Sequence, residues 1–524
     1  MDRLADQISG GSIRSNTIYR IFFITVILIR ISQVSAQNNT LYLMHSVPQS
    51  NQLNPALRHP CRIYIALPVI SSVRQSTRNT GFGFHDAIHT GTGAQSDTYY
   101  LDLDNLDKKL GRMNYLLGNS DVDLLGLGLE IREWYFTLGI SNHAMMQVAY
   151  PHDIVSLSDG NWDVNAGTAI PINLNNIGVD ATAWNSIGIS ASKEFADGLR
   201  IGARVKYLNG MANVNTRKST IMLNTTSDPI TLDAEVNYKV NSSLPVTLGF
   251  GSNGLVNDVD FSPAWQNLVG NYIFNGNRGI SVDGGVVYDL DDATRITASF
   301  TDLGFIWWKG NVNNFTGTGS FVFEGIDIDQ YIDNPNQSDL LEALRDSLLN
   351  AFTASADTKS YVTATPVNLY GGITRQLTPS LKAGAMTWIE INSMHVRPSL
   401  TLSLNFTPFN AFAATLSYTL MNRKFNQIGA GLAFGNRGAQ FYILTDNIPV
   451  RFTRDVSTSL IWPYNARMIC LRFGLNLFFG CDKEAKGSGS GGAKYSGRSA
   501  GKGPMPKKHF PKSKSKDYCP AYDN

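Results

Sequence analysis

The stretch ARMICLRFGLNLFF, residues 466–479, decides the fold of this chain. From Ile469 to Leu477 every second side chain is apolar, and Arg472, Gly474 and Asn476 alternate with them. A period of two residues is that of a β-strand with one apolar and one polar face. The run is also long enough for a tilted strand to cross a bilayer, which takes about 9–11 residues. The stretch therefore predicts a membrane-spanning strand.

The same alternation recurs along nearly the whole chain, in segments separated by turn residues. Three further apolar series are Leu400, Leu402, Leu404 and Phe406; Phe412, Ala414, Leu416, Tyr418 and Leu420; and Ile201, Ala203, Val205 and Tyr207. Beside the last series, Arg200, Arg204 and Lys206 lie on the opposite face, so they are the candidate lumen-facing residues. A soluble β-sandwich would have the same periodicity. The rest of the sequence has to decide between the two architectures.

The N-terminus favours export. Arg14 and Arg20 precede the apolar run 21–29, and Val34-Ser35-Ala36 forms a small-residue cleavage site before Gln37. This arrangement predicts a cleaved secretory signal peptide over residues 1–36. No later stretch approaches the roughly twenty apolar residues of a spanning helix. The sequence thus predicts a protein exported to the bacterial outer membrane, in contact with outer-membrane lipid.

Composition excludes several classes of function. Removal of 36 residues from 524 leaves 488, which suits one large barrel with long loops. A formal net charge of +2, without a basic patch outside the C-terminal tail, predicts no nucleic-acid partner. The chain has no serine-nucleophile elbow, metalloprotease helix motif or phosphate loop. We therefore predict no enzyme, and no catalytic, cofactor-binding or metal-ligating residues.

Turn residues predict the topology. Short turns are expected on the periplasmic side and long loops outside. The candidate tight turns are Glu130–Glu133, Phe195–Gly198, Leu290–Ala293, Leu377–Pro379, Thr407–Asn410 and Gly435–Gly438. The candidate long connections are residues 71–120, 143–183, 252–278, 303–363 and 447–465. Amphipathic helical patterns occur at 103–117 in the first long connection and at 340–352 in the fourth.

The predicted fold is all-β, a transmembrane antiparallel β-barrel of residues 61–480 with long extracellular loops. Counting the segments gives sixteen strands, but the hairpin between Ile230 and Gly251 is poorly marked. If that hairpin is an external excursion, the number is fourteen. We predict about 14 strands, within a range of about 12–16, and an even number because both chain ends lie on one side.

Before the first predicted strand, at Arg62–Ile70, lies a segment without alternation, residues 37–60, which contains Asn54-Pro55-Ala56. Its position after the signal sequence is similar to the N-terminal hatch of FadL-like outer-membrane transporters and of the PorP/SprF barrels associated with type IX secretion and gliding. The segments 276–288, 301–308 and 441–447 resemble an uncharacterised family of the same group. The resemblance implies a hatch in or beneath the lumen, and we expect Asn54, Pro55 and Ala56 to pack against Arg200, Arg204 and Lys206.

Two functions follow from the resemblance. The first is a gated channel for small hydrophobic compounds, with the hatch as the gate. The alternative is an accessory or scaffold barrel that docks type IX secretion or gliding components. An apolar pocket that continues from the mouth to the wall or the periplasm would favour transport, whereas a solid plug beneath an apolar loop surface would favour docking.

Residues 481–524 form a tail of a different kind. It contains the linker run 487–492 and a Lys-rich section, 494–516, with almost no large apolar side chains. Such a composition predicts a flexible, disordered, basic periplasmic tail. The tail is either simply solvated or an electrostatic tether to an acidic periplasmic or secretion-system partner or to cell-wall polymers.

Four cysteines in an exported chain raise the question of disulfides. Cys61 directly precedes the first predicted strand, and Cys481 directly follows the last. Because closure makes those strands neighbours, we predict a Cys61–Cys481 bridge across the seam. A Cys481–Cys519 pair and free thiols remain the alternatives. Cys470 lies within a predicted strand and is interpreted as a small apolar filler.

Overall fold

The computed structural model describes part of the chain. The described residues are 38–68, 70–90, 99–156, 162–163, 165–225, 232–250, 256–260, 262, 267, 270, 272–323, 352–409, 411–421, 424–435, 438–448, 452–454, 461–463 and 468–481. The predicted signal peptide, residues 340–351 of the helical pattern predicted at 340–352, Cys519 and the predicted tail beyond Cys481 lie outside these residues.

Within the described residues the chain is built of strands and a few short helices. Numbered in chain order, the strands are β1 Ile63–Ala66, β2 Val73–Asn79, β3 Ile88–Thr90, β4 Tyr99–Leu101, β5 Met113–Ile131, β6 Trp134–Pro151, β7 Trp162–Asp163, β8 Thr168–Ala169, β9 Ile172–Asn173, β10 Gly178–Ala196, β11 Leu199–Thr225, β12 Leu232–Ser243, β13 Thr247–Phe250, β14 Val256–Asp260, β15 Arg278–Asp289, β16 Thr294–Trp308, β17 Asn314–Phe323, β18 Phe352–Asp357, β19 Tyr361–Ala364, β20 Val367–Thr378, β21 Leu381–Ile391, β22 Val396–Phe409, β23 Phe412–Met421, β24 Lys424–Phe434, β25 Ala439–Thr445, β26 Phe452–Arg454, β27 Ile461–Pro463 and β28 Met468–Phe479. The helices are α1 Asn39–Leu43, a 3₁₀ helix Pro48–Gln52, α2 Phe84–Ala87, α3 Leu103–Lys109 and α4 Asp153–Ser156. Among the described residues, no helix has the length and apolarity needed to cross a membrane.

The strands close into an antiparallel barrel with 14 strand positions. Two of these positions are each filled by two short consecutive strands, one by β1 followed by β2 and the other by β19 followed by β20. The order around the barrel is β1/β2, β5, β6, β10, β11, β15, β16, β19/β20, β21, β22, β23, β24, β25 and β28. β28 pairs with β1 from Ile63 opposite Phe479, so the last strand meets the first. The predicted all-β barrel is confirmed.

The two faces of the strands are sorted as a membrane barrel requires. Along β22, the side chains of Leu400, Leu402, Leu404 and Phe406 are between 45% and 50% exposed on the outer surface. The side chains between them, Ser399, Thr401, Ser403 and Asn405, are at most 7% exposed. An apolar outer face and a polar, filled interior reverse the arrangement of a soluble sandwich. The outward apolar series is therefore the face that contacts lipid.

The described residues of the six predicted tight turns all lie at one end of the barrel, while Asn410, Asn436 and Arg437 lie outside the described residues. β10 and β11 are joined by Asp197 and Gly198, where Gly198 takes a φ of +77°, a conformation that favours glycine. The start of β1 and the end of β28 lie at the same end, since Ile63 is paired with Leu129 and Phe479. This end is the expected periplasmic rim. Helix α3 covers the first part of the helical pattern predicted at 103–117.

The first strand position differs from the prediction. The predicted first strand over 62–70 ends at Ala66, and β2, which lies in the predicted 71–120 loop, continues the same position between β28 and β5. Residues 73–79, VRQSTRN, are mostly polar on both faces, so they carry no apolar alternation. Backbone pairing with two neighbours holds β2 in the wall, and a hydropathy pattern cannot reveal such pairing.

Beyond the other rim, several strands continue outside the barrel. The first part of β11, from Leu199 to Asn209, pairs with β15, and its last part pairs with β12. β12 pairs in turn with β17, and β17 with β18. The poorly marked hairpin is thus an external excursion, which explains why the barrel has fourteen strand positions and not sixteen.

Candidate functional site

The segment from Asn38 to Pro60 lies inside the barrel. Leu41, Tyr42, Val47, Asn54 and Ala56 are each fully buried. Helix α1 has five residues, and Pro48 opens the 3₁₀ helix, where its missing N–H costs nothing. Helices this short are not stable alone in water. The barrel wall must therefore hold the segment in place, and we call residues 38–60 the hatch.

The start of the hatch is fixed by hydrogen bonds to two neighbouring strands, β22 and β23, and to the turn that follows β25. Thr40 N donates to Asp446 Oδ1 at 2.8 Å, and the Thr40 and Ser417 hydroxyls are 2.9 Å apart. Asn39 Nδ2 donates to Thr401 Oγ1 at 2.9 Å. An acidic side chain at the N-terminus of a helix also interacts favourably with the helix dipole. These bonds orient α1 against β22, β23 and the end of β25.

Farther along, two glutamines connect the hatch to the seam of the barrel. The Gln49 and Asn476 side chains form a reciprocal amide pair, with N–O distances of 2.6 and 3.0 Å. Gln52 Nε2 donates to Asp123 Oδ2 at 2.7 Å. Buried amides such as these cost free energy unless they are paired. The pairing therefore specifies one position of the hatch.

Apolar packing adds to these hydrogen bonds. The Tyr42 ring stacks on Tyr370 with centroids 5.0 Å apart, and its hydroxyl donates to Thr297 Oγ1 at 3.1 Å. The hatch contributes six residues to one buried apolar cluster, Leu41, Tyr42, Leu43, Met44, Val47 and Leu53. Inward-facing wall residues such as Met386, Trp388 and Tyr442 complete the cluster. The hatch therefore packs as a small core inside the polar interior.

The Asn54-Pro55-Ala56 motif forms a turn pressed against the wall. Asn54 Oδ1 accepts a hydrogen bond from Ala56 N at 2.9 Å, and Asn54 Nδ2 donates to the carbonyls of Val286 and Ala298, each at 3.3 Å. A Cβ on Gly285 would collide with Asn54, and one on Gly202 would collide with the Pro55 backbone. Glycine in a strand permits this close backbone approach.

The three predicted lumen-facing cations all point inward, but they contact different partners. Arg204 donates to the backbone oxygens of Asn51 at 2.8 Å and Gln52 at 3.1 Å, so it holds the hatch directly. Lys206 pairs with Asp283 at 2.9 Å and with Asp302 at 2.6 Å. Arg200 lies 3.5 Å from Glu194. Arg204 therefore contacts the hatch directly, and Lys206 is held by two carboxylates of the wall.

Sequence reasoning missed two buried carboxylates, one that pairs with these cations and one that holds the hatch. The Asp283 side chain is completely buried and lies 3.0 Å from Arg204. Asp123 accepts from both Gln52 and Ser141. Both aspartates lie at inward-facing positions of strands in which every second residue is apolar. That position is the feature of the sequence that could have identified them.

The predicted disulfide partners Cys61 and Cys481 form a bridge with Cα atoms 4.2 Å apart.

The end of the hatch packs beside this bridge. The His59 ring stacks on Phe478 with centroids 4.1 Å apart, and His59 Nδ1 accepts from Cys61 N at 3.2 Å. Burial lowers the pKa of His59 to about 3, because the charged form would lose its hydration. Cys470 is buried and outside any disulfide, and it fills space in the wall of β28.

A cavity of about 180 Å³ lies between the hatch and the wall. Hatch residues Gln49, Asn51 and Leu53 border it on one side. Six cationic side chains and four carboxylates border it, together with aromatic residues such as Trp184 and Trp388. Within the part of the chain that the structure describes, no group of His, Cys, Asp or Glu side chains is arranged to hold a metal ion. Because charged and aromatic side chains both border it, the cavity can hold a small polar or amphipathic molecule.

Sequence comparison identifies one family. Residues 55–446 match the model described as a family of unknown function, DUF5723. No curated protein matches the chain.

Several solved structures are similar to this chain at low identity. The toluene transporter TbuX of Ralstonia pickettii is 9% identical with a TM-score of 0.37, over 82% of this chain and 94% of TbuX. A FadL homologue of Pseudomonas aeruginosa is 11% identical with a TM-score of 0.34, over 83% and 94%. The toluene transporter TodX of Pseudomonas putida is 10% identical with a TM-score of 0.35, over 86% and 96%. The resemblance to PorP/SprF barrels stays a prediction.

Proposed function

We propose that this chain, which belongs to the DUF5723 family of unknown function, is a gated outer-membrane channel for small compounds, with the hatch as its gate. The observation that carries the proposal is the cavity of about 180 Å³ that the hatch and the inner wall border jointly. A barrel of fourteen strands has an interior wide enough to need a filling. Movement of the hatch would open that interior.

The contacts of the hatch support a movable gate. Many of them are hydrogen bonds between neutral side chains, such as the Gln49–Asn476 amide pair and the Tyr42–Thr297 pair. Such bonds contribute about 0.5–1.5 kcal/mol each, because water replaces them when they break. Each can therefore be exchanged for water in an opened state. The disulfide at Cys61 fixes the far end of the hatch to the rim, so the gate would swing from that end.

The finer proposal concerns the compounds. The expectation of a hydrophobic cargo rests on the resemblance, and it is consistent with Leu117, Met145, Trp184 and Trp388 in the cavity wall. The same wall carries charged groups, so the cavity is not an apolar tunnel. The docking alternative, with type IX secretion or gliding components, stays a prediction of the sequence.

A reversible tether tests the gate. A side chain on Gly285 would point at Asn54, so the pair Asn54→Cys and Gly285→Cys should form a disulfide between the wall and the hatch. In proteoliposomes, the oxidised variant should admit small solutes more slowly than the same variant after reduction. The wild-type protein under both conditions controls for the native Cys61–Cys481 bridge.

A deletion of residues 37–60 complements the tether. It should raise the conductance of planar bilayers, provided that circular dichroism and heat-dependent gel mobility show a folded barrel. Equal permeability of tethered, reduced and hatch-deleted barrels would contradict gating.

A further inference from the structure

We propose that the cavity beside the hatch binds a small organic anion, whose oxyanion group contacts Arg472. The inference deepens the proposed function and rests on it for the role of the ligand, since it names the class of compound that enters the lumen. The cavity wall, however, can be tested for binding without any transport measurement.

The first observation is a pair of arginines placed directly opposite each other. Arg74 on β2 and Arg472 on β28 are register partners, and both border the cavity. Like charges directly opposite in a sheet are destabilising. On the other side of Arg74, Asp121 is its register partner on β5 and lies 2.5 Å from it. One carboxylate thus serves the first arginine of the pair.

Asp121 is also held on its far side. His143 Nδ1 lies 2.6 Å from Asp121 Oδ1, and His143 Nε2 lies 3.0 Å from the Ser186 hydroxyl. The polar row therefore runs from Arg472 through Arg74, Asp121 and His143 to Ser186, across five adjacent strand positions. Asp121, at the centre of the row, is engaged on both sides, and Arg472 forms one end of the row.

Arg472 is left with unmet hydrogen-bonding capacity. Its side chain is 97% buried, and its Nε and Nη1 atoms have no hydrogen-bond partner among the described residues. No described residue forms an ion pair with it. A buried guanidinium without partners is costly, so such a group points to a ligand that completes it. Planar guanidinium groups bind carboxylate and phosphate oxygens especially well.

A second carboxylate of the cavity wall, Asp123, is already engaged by hydrogen bonds to other groups. Asp123 lies on β5 and borders the same cavity, but its Oδ2 accepts from Gln52 at 2.7 Å and its Oδ1 from Ser141 at 2.9 Å. The carboxylate therefore fixes the hatch and does not neutralise Arg472 by contact. A bound anion would leave those hydrogen bonds in place.

A second cation strengthens the positive potential of the cavity. Arg78, four residues after Arg74 on the same face of β2, is 91% buried and borders the cavity. Among the described residues it has no ion-pair partner, whereas neighbouring Arg397 pairs with Glu390. Cations exceed carboxylates in the wall by six to four, and Asp283 supplies a fifth carboxylate behind Arg204 and Lys206. Among the side chains that border the cavity, cations are therefore in excess of carboxylates, which favours an anionic ligand.

The remaining wall sets the size and shape of the ligand. Leu117, Tyr370 and Trp388 supply apolar surface, and Trp388 Nε1 is occupied by Asn368 Oδ1 at 3.0 Å. With about 180 Å³ available, the ligand has one oxyanion group on a compact body. Benzoate combines these properties, benzyl alcohol has the same body without the charge, and inorganic phosphate has the charge without the body.

The experiment measures binding of these three probes to the full-length barrel in detergent micelles, by titration calorimetry and by tryptophan fluorescence. Benzoate should bind at least tenfold more tightly than benzyl alcohol and more tightly than inorganic phosphate. Arg472→Gln should weaken benzoate binding at least tenfold, and Arg78→Gln should weaken it by a smaller factor. The matched control is Arg295→Gln, because Arg295 faces the lumen but pairs with Asp289 and does not border the cavity.

Three outcomes decide the inference, once heat-dependent gel mobility has shown that the variants are folded. Equal affinity for benzoate and benzyl alcohol would overturn it, because the charge would then have no role. Unchanged benzoate binding by the folded Arg472→Gln barrel would overturn it as well. If benzoate fails to bind while the hatch tether still controls permeability, the anion site is wrong and the gated channel stands.

Discussion

The outer face of the barrel and its lumen follow opposite rules. Leu402 on the outer face is half exposed, and its next neighbour Thr401 is completely buried. The outer residues share one property, apolarity, whereas Thr401 takes part in specific hydrogen bonds with Asn39 and Thr419. The comparison teaches that the alternation of apolar residues specifies the outer face, whereas individual hydrogen-bonded pairs of residues specify the interior. Substitutions on the two faces should therefore fail for different reasons.

The largest effect should come from a charge on the outer face. Leu402→Arg, near the middle of β22, should lower the free energy of unfolding by about 2–4 kcal/mol, because the charge must enter the hydrocarbon layer. Phe409→Arg at the turn end of the same strand is the control, with an expected loss of about 0–1 kcal/mol. Urea unfolding in lipid vesicles measures both. Equal losses at the two depths would break the comparison.

On the inner face, a single amide pair should matter next. Asn476→Ala removes both hydrogen bonds between residue 476 and Gln49, so the buried Gln49 amide loses Asn476 as its partner. The expected loss is about 2 kcal/mol, the typical desolvation cost of an unsatisfied polar group. Unfolding in micelles measures the loss. Restoration of stability by combining Asn476→Ala with Gln49→Leu would sharpen the argument, since an apolar pair needs no partner, and further destabilisation would contradict it.

The free energy of unfolding should depend on pH because of His59 in the hatch, whereas the apolar side chains of the outer face do not titrate. The pKa of His59 falls from 6.5 to about 3 on burial, so the folded state resists protonation. Stability present above pH 6.5 is therefore lost as the pH falls toward 3, with about 1.3 kcal/mol lost between pH 7 and pH 5.5. His59→Phe should retain the stack on Phe478 and reduce this slope. An identical pH slope in the variant would show that other groups cause it.

The smallest effect should come from Tyr42→Phe. The substitution removes the hydrogen bond to Thr297 but keeps the stack on Tyr370. Thr297 Oγ1 can still donate to the Gly372 carbonyl at 3.4 Å, so the expected loss is about 0.5–1 kcal/mol. Hydrogen exchange of the hatch amides should report it. A loss as large as that of Leu402→Arg would mean that the hatch and the wall unfold as one unit.

The strands of the wall were predictable because the alternation of apolar and polar residues is repeated along the chain. The alternation around Leu400–Phe406 and the six turns give the strand directions without any tertiary information. β2 was missed because its polar residues show no period, although two neighbours hold its backbone. The site was predictable only in part. Asn54 and Arg204 could be placed in the lumen, but the Gln49–Asn476 pair joins residues 427 positions apart, and no local pattern encodes that contact.

Lipid and lumen accessibility along β22 tests the central claim most directly. Spin labels are placed one at a time from Ser399 to Phe406 in the reconstituted full-length barrel, and collision rates with oxygen and with a water-soluble nickel complex are measured. The labels at positions 400, 402, 404 and 406 should collide mainly with oxygen in the bilayer, and those at 399, 401, 403 and 405 should be shielded from it. Equal oxygen accessibility at successive positions, or the reverse alternation, would contradict an apolar face in lipid around a filled polar lumen.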